Sequence, residues 1–84
     1  MEIEGTIKKI LATELFVETP AEEISDNESL RDIYGLDSLG FTELRVQCED
    51  IFDVRISDED FVPANFRTIA ALTALIRRLQ GGGA

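Results

Sequence analysis

Apolar residues return every three or four positions along three separate stretches of this chain, and a helix is the element that gathers such a set onto one side. Ile3, Ile7, Ile10, Leu11 and Leu15 form the first set, with Glu2, Glu4, Lys8, Lys9 and Glu14 mostly turned the other way. This spacing predicts a helix over about residues 2–17, ended by Thr19-Pro20 because proline cannot extend the hydrogen-bond ladder and disfavours helical geometry in the residue before it. Phe41, Leu44, Cys48, Ile51 and Phe52 form the second set, on a helix over about 38–52 that starts after Asp37, whose carboxylate suits the free amides of a helix start. Ile69, Leu72, Leu75, Ile76 and Leu79 form the third, on a helix over about 67–79 with Arg77 and Arg78 near its negative end. From Ala21 to Leu36 the chain reads as a loop, with Ser25-Asp26-Asn27-Glu28-Ser29 as turn formers and Leu30, Ile33 and Leu36 as apolar pins. After the connector Asp53-Val54-Arg55-Ile56, Ser57-Asp58-Glu59-Asp60 predicts the cap and acidic first turn of a short helix reaching Phe61 and Val62. The expected fold is all-α: a four-helix bundle over residues 1–80 with a long loop between helices 1 and 2, a short third helix, and a flexible Gly-rich tail over 81–84.

Size and charge narrow what such a bundle can do. A chain of 84 residues makes one domain and buries only ~60–65% of its unfolded surface, which leaves a thin core and little room for a deep substrate pocket. Seventeen acidic residues against eight basic ones give a net charge of −9, so nucleic acid and anionic membranes are poor partners and basic protein surfaces good ones. There is no histidine, which removes any Ser-His-Asp arrangement and, together with the small core, argues against a hydrolase using Ser38. The lone Cys48 cannot form an internal disulfide or a cysteine-rich metal site, and its place in the apolar set reads as a small buried hydrophobe. The N-terminus lacks the apolar run of a secretory signal, and a reduced, cytoplasmic monomer is expected. The acidic run 57–60 lacks the alternating ligand pattern and closing glutamate of a calcium loop, so no metal site is expected there.

The chemistry-bearing residue is Ser38, at the junction of the long loop and the second helix. Without a base of its own it reads either as a cap, a role Asp37 could equally fill, or as an acceptor hydroxyl presented to another enzyme. Gly40, in the first turn, costs up to ~1 kcal/mol relative to alanine and weakens the helix start. Stepping 100° per residue puts Leu39 and Val46 opposite the core set, with Glu43 and Asp50 beside them and Thr42 and Glu49 near the rim. An apolar pair ringed by carboxylates has the composition of a transient docking surface for a basic partner. An unmodified acidic helical adaptor, binding through that face alone, is the competing class.

Gly35-Leu36-Asp37-Ser38-Leu39, followed by Glu43-Leu44, resembles the D-S-L attachment motif of the acyl and peptidyl carrier proteins, and the likeness continues through Phe52-Asp53-Val54-Arg55-Ile56 and Thr68-Ile69. The resemblance implies that a phosphopantetheinyl transferase, using coenzyme A and magnesium, attaches 4′-phosphopantetheine to Ser38 through a phosphodiester. The thiol of that arm would then hold an acyl or aminoacyl group as a thioester. Carried over by position, Asp37 would help bind the transferase's metal and coenzyme site, while Leu39, Glu43, Val46 and Asp50 would form the surface that partners read. Those partners would be the transferase, an acyl- or aminoacyl-loading enzyme, and downstream synthases or transferases with basic docking patches. Asp37 before the serine is similar to acyl carriers of fatty acid and polyketide synthesis. Gly40 stands where bacterial fatty acid carriers usually have an acidic residue, and Asp60-Phe61-Val62-Pro63-Ala64-Asn65-Phe66 is longer than their third-helix segment. These departures resemble free-standing carriers of polyketide or nonribosomal peptide biosynthesis and, loosely, D-alanyl carriers.

Overall fold

A computed structural model describes residues 2–81. The helices are α1 (Ile3–Thr13), α2 (Ser38–Phe52), α3 (Pro63–Phe66) and α4 (Ile69–Gln80), with a single 3₁₀ turn at Ala21–Glu23. No strand occurs among the described residues, and α4 packs on α1 and α3 while α1 also meets α2 and the 3₁₀ turn. The core runs through all of these elements: Ile7 and Leu11 of α1, Leu44 and Cys48 of α2, and Ile69, Leu72, Leu75 and Ile76 of α4 are essentially inaccessible to solvent. Of the expected tail 81–84, Gly81 closes α4 by donating its amide hydrogen to the Arg77 carbonyl at 2.9 Å, and residues 82–84 lie outside the described residues.

Helix α1 stops at Thr13, four residues before the expected end, although the apolar spacing continues to Leu15. Leu15 and Val17 both pack against the core, and on a continuing helix they would stand about 200° apart, so one would face water. The chain instead turns at Phe16, which takes a left-handed backbone with φ 57. The Val17 amide then returns to the Leu11 carbonyl at 2.9 Å, and both apolar side chains lie inward.

The long loop is held from both ends of the molecule. Ile24, Leu30 and Leu36 are its buried pins, whereas Ile33, expected among them, is 57% exposed. The Leu30 amide donates to the Arg67 carbonyl and the Ala70 amide to the Asp26 carbonyl, each at 2.9 Å, which ties the loop to the start of α4. Lys8 pairs with Asp26 at 2.8 Å, and that contact raises the lysine pKa from its ordinary value. Tyr34 Oη accepts from the Ser25 amide at 2.8 Å and closes the loop on itself.

Residues 57–60 correct the expected third helix. The Ser57 carbonyl accepts from the Asp60 and Phe61 amides at 3.0 Å, making a single turn that goes no further. The helix itself starts six residues on, at Pro63, because the missing amide and fixed φ of proline are harmless at a first helical position. Helix α4 starts at Ile69, after Thr68 Oγ1 accepts from the Ala71 amide at 3.0 Å. Ile51, expected in the core, is 41% exposed; it lies about 60° round the helix from Cys48, at the edge of the buried arc.

Truncating the two apolar residues should therefore have unequal effects. Leu44→Ala is expected to lose ~2–5 kcal/mol through the cavity it leaves. Ile51→Ala should stay within ~0.5 kcal/mol of the parent in denaturant unfolding.

Candidate functional site

Helix α2 is started by Asp37, not by Ser38. Asp37 has extended backbone, and its Oδ1 accepts from the Gly40 amide at 2.8 Å. The absent side chain at Gly40 makes room for this contact: a Cβ there would meet Leu36 Cγ at 3.2 Å and Asp37 Oδ1 at 3.4 Å. Just upstream, Gly35 adopts φ 76, which suits glycine, and the buried Leu36 bonds through its amide to the Leu30 carbonyl at 3.0 Å. Loop, turn and cap thus fix the backbone on the N-terminal side of Ser38. The serine is exposed, its carbonyl accepts from Thr42 Oγ1 at 2.9 Å, and its own hydroxyl makes no hydrogen bond to any described residue.

Two depressions are lined in part by the first turn of α2, one at Gly40 and the other at Phe41. A groove of about 410 Å³ lies between the segments 15–19 and 33–37 and reaches Asp37 and Gly40, the neighbours of Ser38. A second cleft of about 440 Å³, walled by Phe41, Phe61, Val62 and Phe66, has Arg31 and Arg67 at its edge. The rings of Phe61 and Phe66 meet edge to face at 5.0 Å. Arg45 covers Phe61 with its guanidinium 4.8 Å from the ring centre. The same guanidinium donates to the Ile56 carbonyl at 3.0 and 2.6 Å and pairs with Asp58 at 3.1 Å.

The outward face of α2 carries Leu39, 79% exposed, Val46, 44% exposed, and the exposed carboxylates Glu43 and Asp50. Gln47 Nε2 donates to Glu43 Oε2 at 3.1 Å and holds that side chain along the helix. Glu49, expected near the rim of this face, serves the fold instead: its Oε2 accepts from the Ile56 amide at 2.8 Å. Sequence reasoning passed over Phe16, 82% exposed, and Arg45. Phe16 does leave a trace in the sequence, since it falls outside the stripe of Ile3, Ile7, Ile10, Leu11 and Leu15. The partners of Arg45 lie eleven and thirteen positions away, a separation no helical period signals.

The helical bundle sets an exposed serine, its hydroxyl unbonded to any described residue, beside an acidic and partly apolar helix face. Residues 5–76 match the family described as phosphopantetheine attachment site. The acyl carrier protein of Chlamydia felis is 33% identical over 81 residues, which cover 96% of this chain and 99% of that one. The acyl carrier protein of Rhodococcus erythropolis is 37% identical over 62 residues, 74% of this chain and 66% of its own length. The meromycolate extension acyl carrier protein of Mycobacterium tuberculosis is 40% identical over 58 residues, 69% of this chain and 49% of its own length. Among solved structures, an engineered Bradyrhizobium japonicum glycine:[carrier protein] ligase complexed with carrier protein from Agrobacterium tumefaciens and ATP contains a chain that aligns with a TM-score of 0.80 and 27% identity, covering 92% of this chain and 99% of that one. The chain belongs to the phosphopantetheine attachment family. It is a carrier protein, and its prosthetic group is covalent 4′-phosphopantetheine.

Cys48 takes no part in this surface. It is fully buried, and burial first, then the nearby Glu49 carboxylate, push its thiol up to about 12 from 9.0. The unfolded chain therefore releases this proton at lower pH than the folded one, and the stability held below pH 9 is lost as pH rises toward about 12. Unfolding free energy should fall across that window with a component of up to ~1.4 kcal/mol per pH unit. Cys48→Ala should lack that component when chemical denaturation is repeated at each pH.

Proposed function

We propose that Ser38 is the residue that takes the 4′-phosphopantetheine arm and that this chain is a free-standing carrier of acyl or aminoacyl groups. The observation that carries this reading is the division of labour at the start of α2: Asp37 Oδ1 caps the helix, and the exposed Ser38 hydroxyl bonds to no described residue. In the modifying step Ser38 Oγ forms a bond to the β-phosphorus of coenzyme A. The pyrophosphate P–O bond breaks, 3′,5′-ADP leaves, and the hydroxyl proton passes to a base on the transferase. Asp37 Oδ1 stays on the Gly40 amide, and its other carboxylate oxygen would be free to help hold the transferase's magnesium. The resulting phosphodiester charge sits at the positive end of α2, an interaction of ~0.3–1 kcal/mol at an exposed helix start. Once attached, the arm supplies a thiol that holds the cargo as a thioester.

Leu39, Glu43, Val46 and Asp50 form the face read by the transferase, by the loading enzyme and by later synthases or transferases with basic patches. Exposed charges beside an apolar pair suit partners that must bind and then leave. The protein acts as a cytoplasmic monomer, with no catalysis of its own. Likeness to the carrier described with a glycine ligase supports an aminoacyl cargo, and the acyl carrier names of the Chlamydia and Rhodococcus relatives support an acyl one. The mass of the loaded form isolated from cells separates the two: an aminoacyl cargo points to nonribosomal peptide synthesis, an acyl cargo to polyketide or fatty acid synthesis.

Incubation with coenzyme A, magnesium and a broad-specificity phosphopantetheinyl transferase should add one phosphopantetheinyl unit by intact mass, and Ser38→Ala should abolish the gain while keeping the helical circular dichroism. A mass gain that persists in Ser38→Ala overturns the assignment, and no gain on the parent chain favours the unmodified adaptor. Glu43→Lys and Val46→Arg should leave melting nearly unchanged, within ~0.5 kcal/mol, while slowing modification or loading sharply.

A further inference from the structure

Phe16 pairs a costly backbone with an idle side chain. Its left-handed conformation, φ 57, is uncommon for a bulky residue and is the kind glycine meets freely. The turn is needed to bring Leu15 and Val17 inward, but the ring is not: it is 82% exposed. Ile33, without the unusual backbone, is also idle: it stands 57% exposed between the buried Leu30 and Leu36. Both line the groove that reaches Asp37 and Gly40, the neighbours of Ser38, while Leu39 stands exposed on the helix. The charged residues lining that groove are Glu18 and Asp37, with no lysine or arginine among its walls.

The geometry points to Phe16 and Ile33 as a docking ledge for the phosphopantetheinyl transferase, a partner that presents an apolar side chain within a basic rim. This inference rests on Ser38 being the attachment residue. The transferase is singled out because it must bring its active site to the serine Oγ itself, so the surfaces bordering Ser38 fall within its footprint. Enzymes that act later work at the far thiol end of the arm and can stand away from the loops. The basic rim follows from Glu18 and Asp37, whose carboxylates complement cations and repel an acidic face.

The test is steady-state modification of the full chain with coenzyme A, magnesium and a broad-specificity transferase, read by intact mass, for the parent, Phe16→Gly, Ile33→Ser and the control Val62→Ala. Phe16→Gly keeps the turn and relieves its backbone, so it should melt no lower than the parent while raising KM for the carrier about tenfold, equivalent to about 1.4 kcal/mol of association, with kcat nearly unchanged. Ile33→Ser should raise KM in the same direction, and Val62→Ala, an exposed apolar residue of the other cleft, should not. Parent-like KM in both ledge variants overturns the ledge, as does a lower melting temperature for Phe16→Gly, which would make the ring part of the fold. A parent chain that takes no arm overturns the Ser38 assignment first and the ledge with it.

Discussion

The contact between the Asp37 carboxylate and the Gly40 amide, 2.8 Å long, organises the functional end of the molecule. A helix start leaves amides without partners, and a serine placed there would ordinarily be recruited to cap them. Because the preceding residue does so, the serine is released from structural duty. Gly40 eases the arrangement, since a Cβ there would approach Leu36 Cγ to 3.2 Å. The arrangement also relies on the buried Leu36, which anchors the chain as it enters the helix. Three neighbours thus hold rigid what the fourth offers to solvent.

Helix α2 reconciles two demands that would compete on a shorter element. Leu44, Cys48 and Phe52 face the core, whereas Leu39, Val46, Glu43 and Asp50 face outward. The side chains between these arcs, Arg45 and Glu49, reach the following connector: the arginine donates to the Ile56 carbonyl and the glutamate accepts from the Ile56 amide. Both polar groups of one connector residue are thereby satisfied by side chains one helical turn apart, without a strand or a second helix. This clamp holds the buried Ile56 in place and sets Phe61 over the cleft beside Phe41.

The three long helices were legible because each has an apolar set at one period and a polar residue at its start. The span of α2, 38–52, coincides with its periodicity from Phe41 to Phe52 and with the capping chemistry of Asp37. Departures occur where tertiary packing overrode local pattern. The stripe of α1 extends to Leu15, yet Val17 also needs the core, and only a turn at Phe16 accommodates both. Pro63 reads locally as a breaker and in the structure opens α3. Ile33 and Ile51 are apolar residues for which the core had no room, and nothing in their own spacing marks them out. Ser38 stood out by its neighbours, but which of Asp37 and Ser38 caps the helix is a matter of ångströms that composition does not encode.

The pairing of charges is uneven, and this shapes how the molecule meets others. Of the eight basic side chains, Lys8, Arg45, Arg77 and Arg78 pair with Asp26, Asp58, Glu4 and Asp60. Arg45 lies on the flank of α2 and turns toward Asp58, the other three pairs join α1, α4, the long loop and the 57–60 turn, and among the described residues neither Glu43 nor Asp50 has such a partner. The outward face of α2 therefore keeps its two negative charges uncompensated by any of these pairs. A field of this kind reaches beyond contact distance and speeds encounter, by about tenfold or more for an oppositely charged surface at low salt. Its carboxylates stay hydrated and screened once contact is made, so they add little to residence time. Fast arrival combined with brief stay is the kinetic character that the proposed docking role requires, and it would follow from where the cations are already spent.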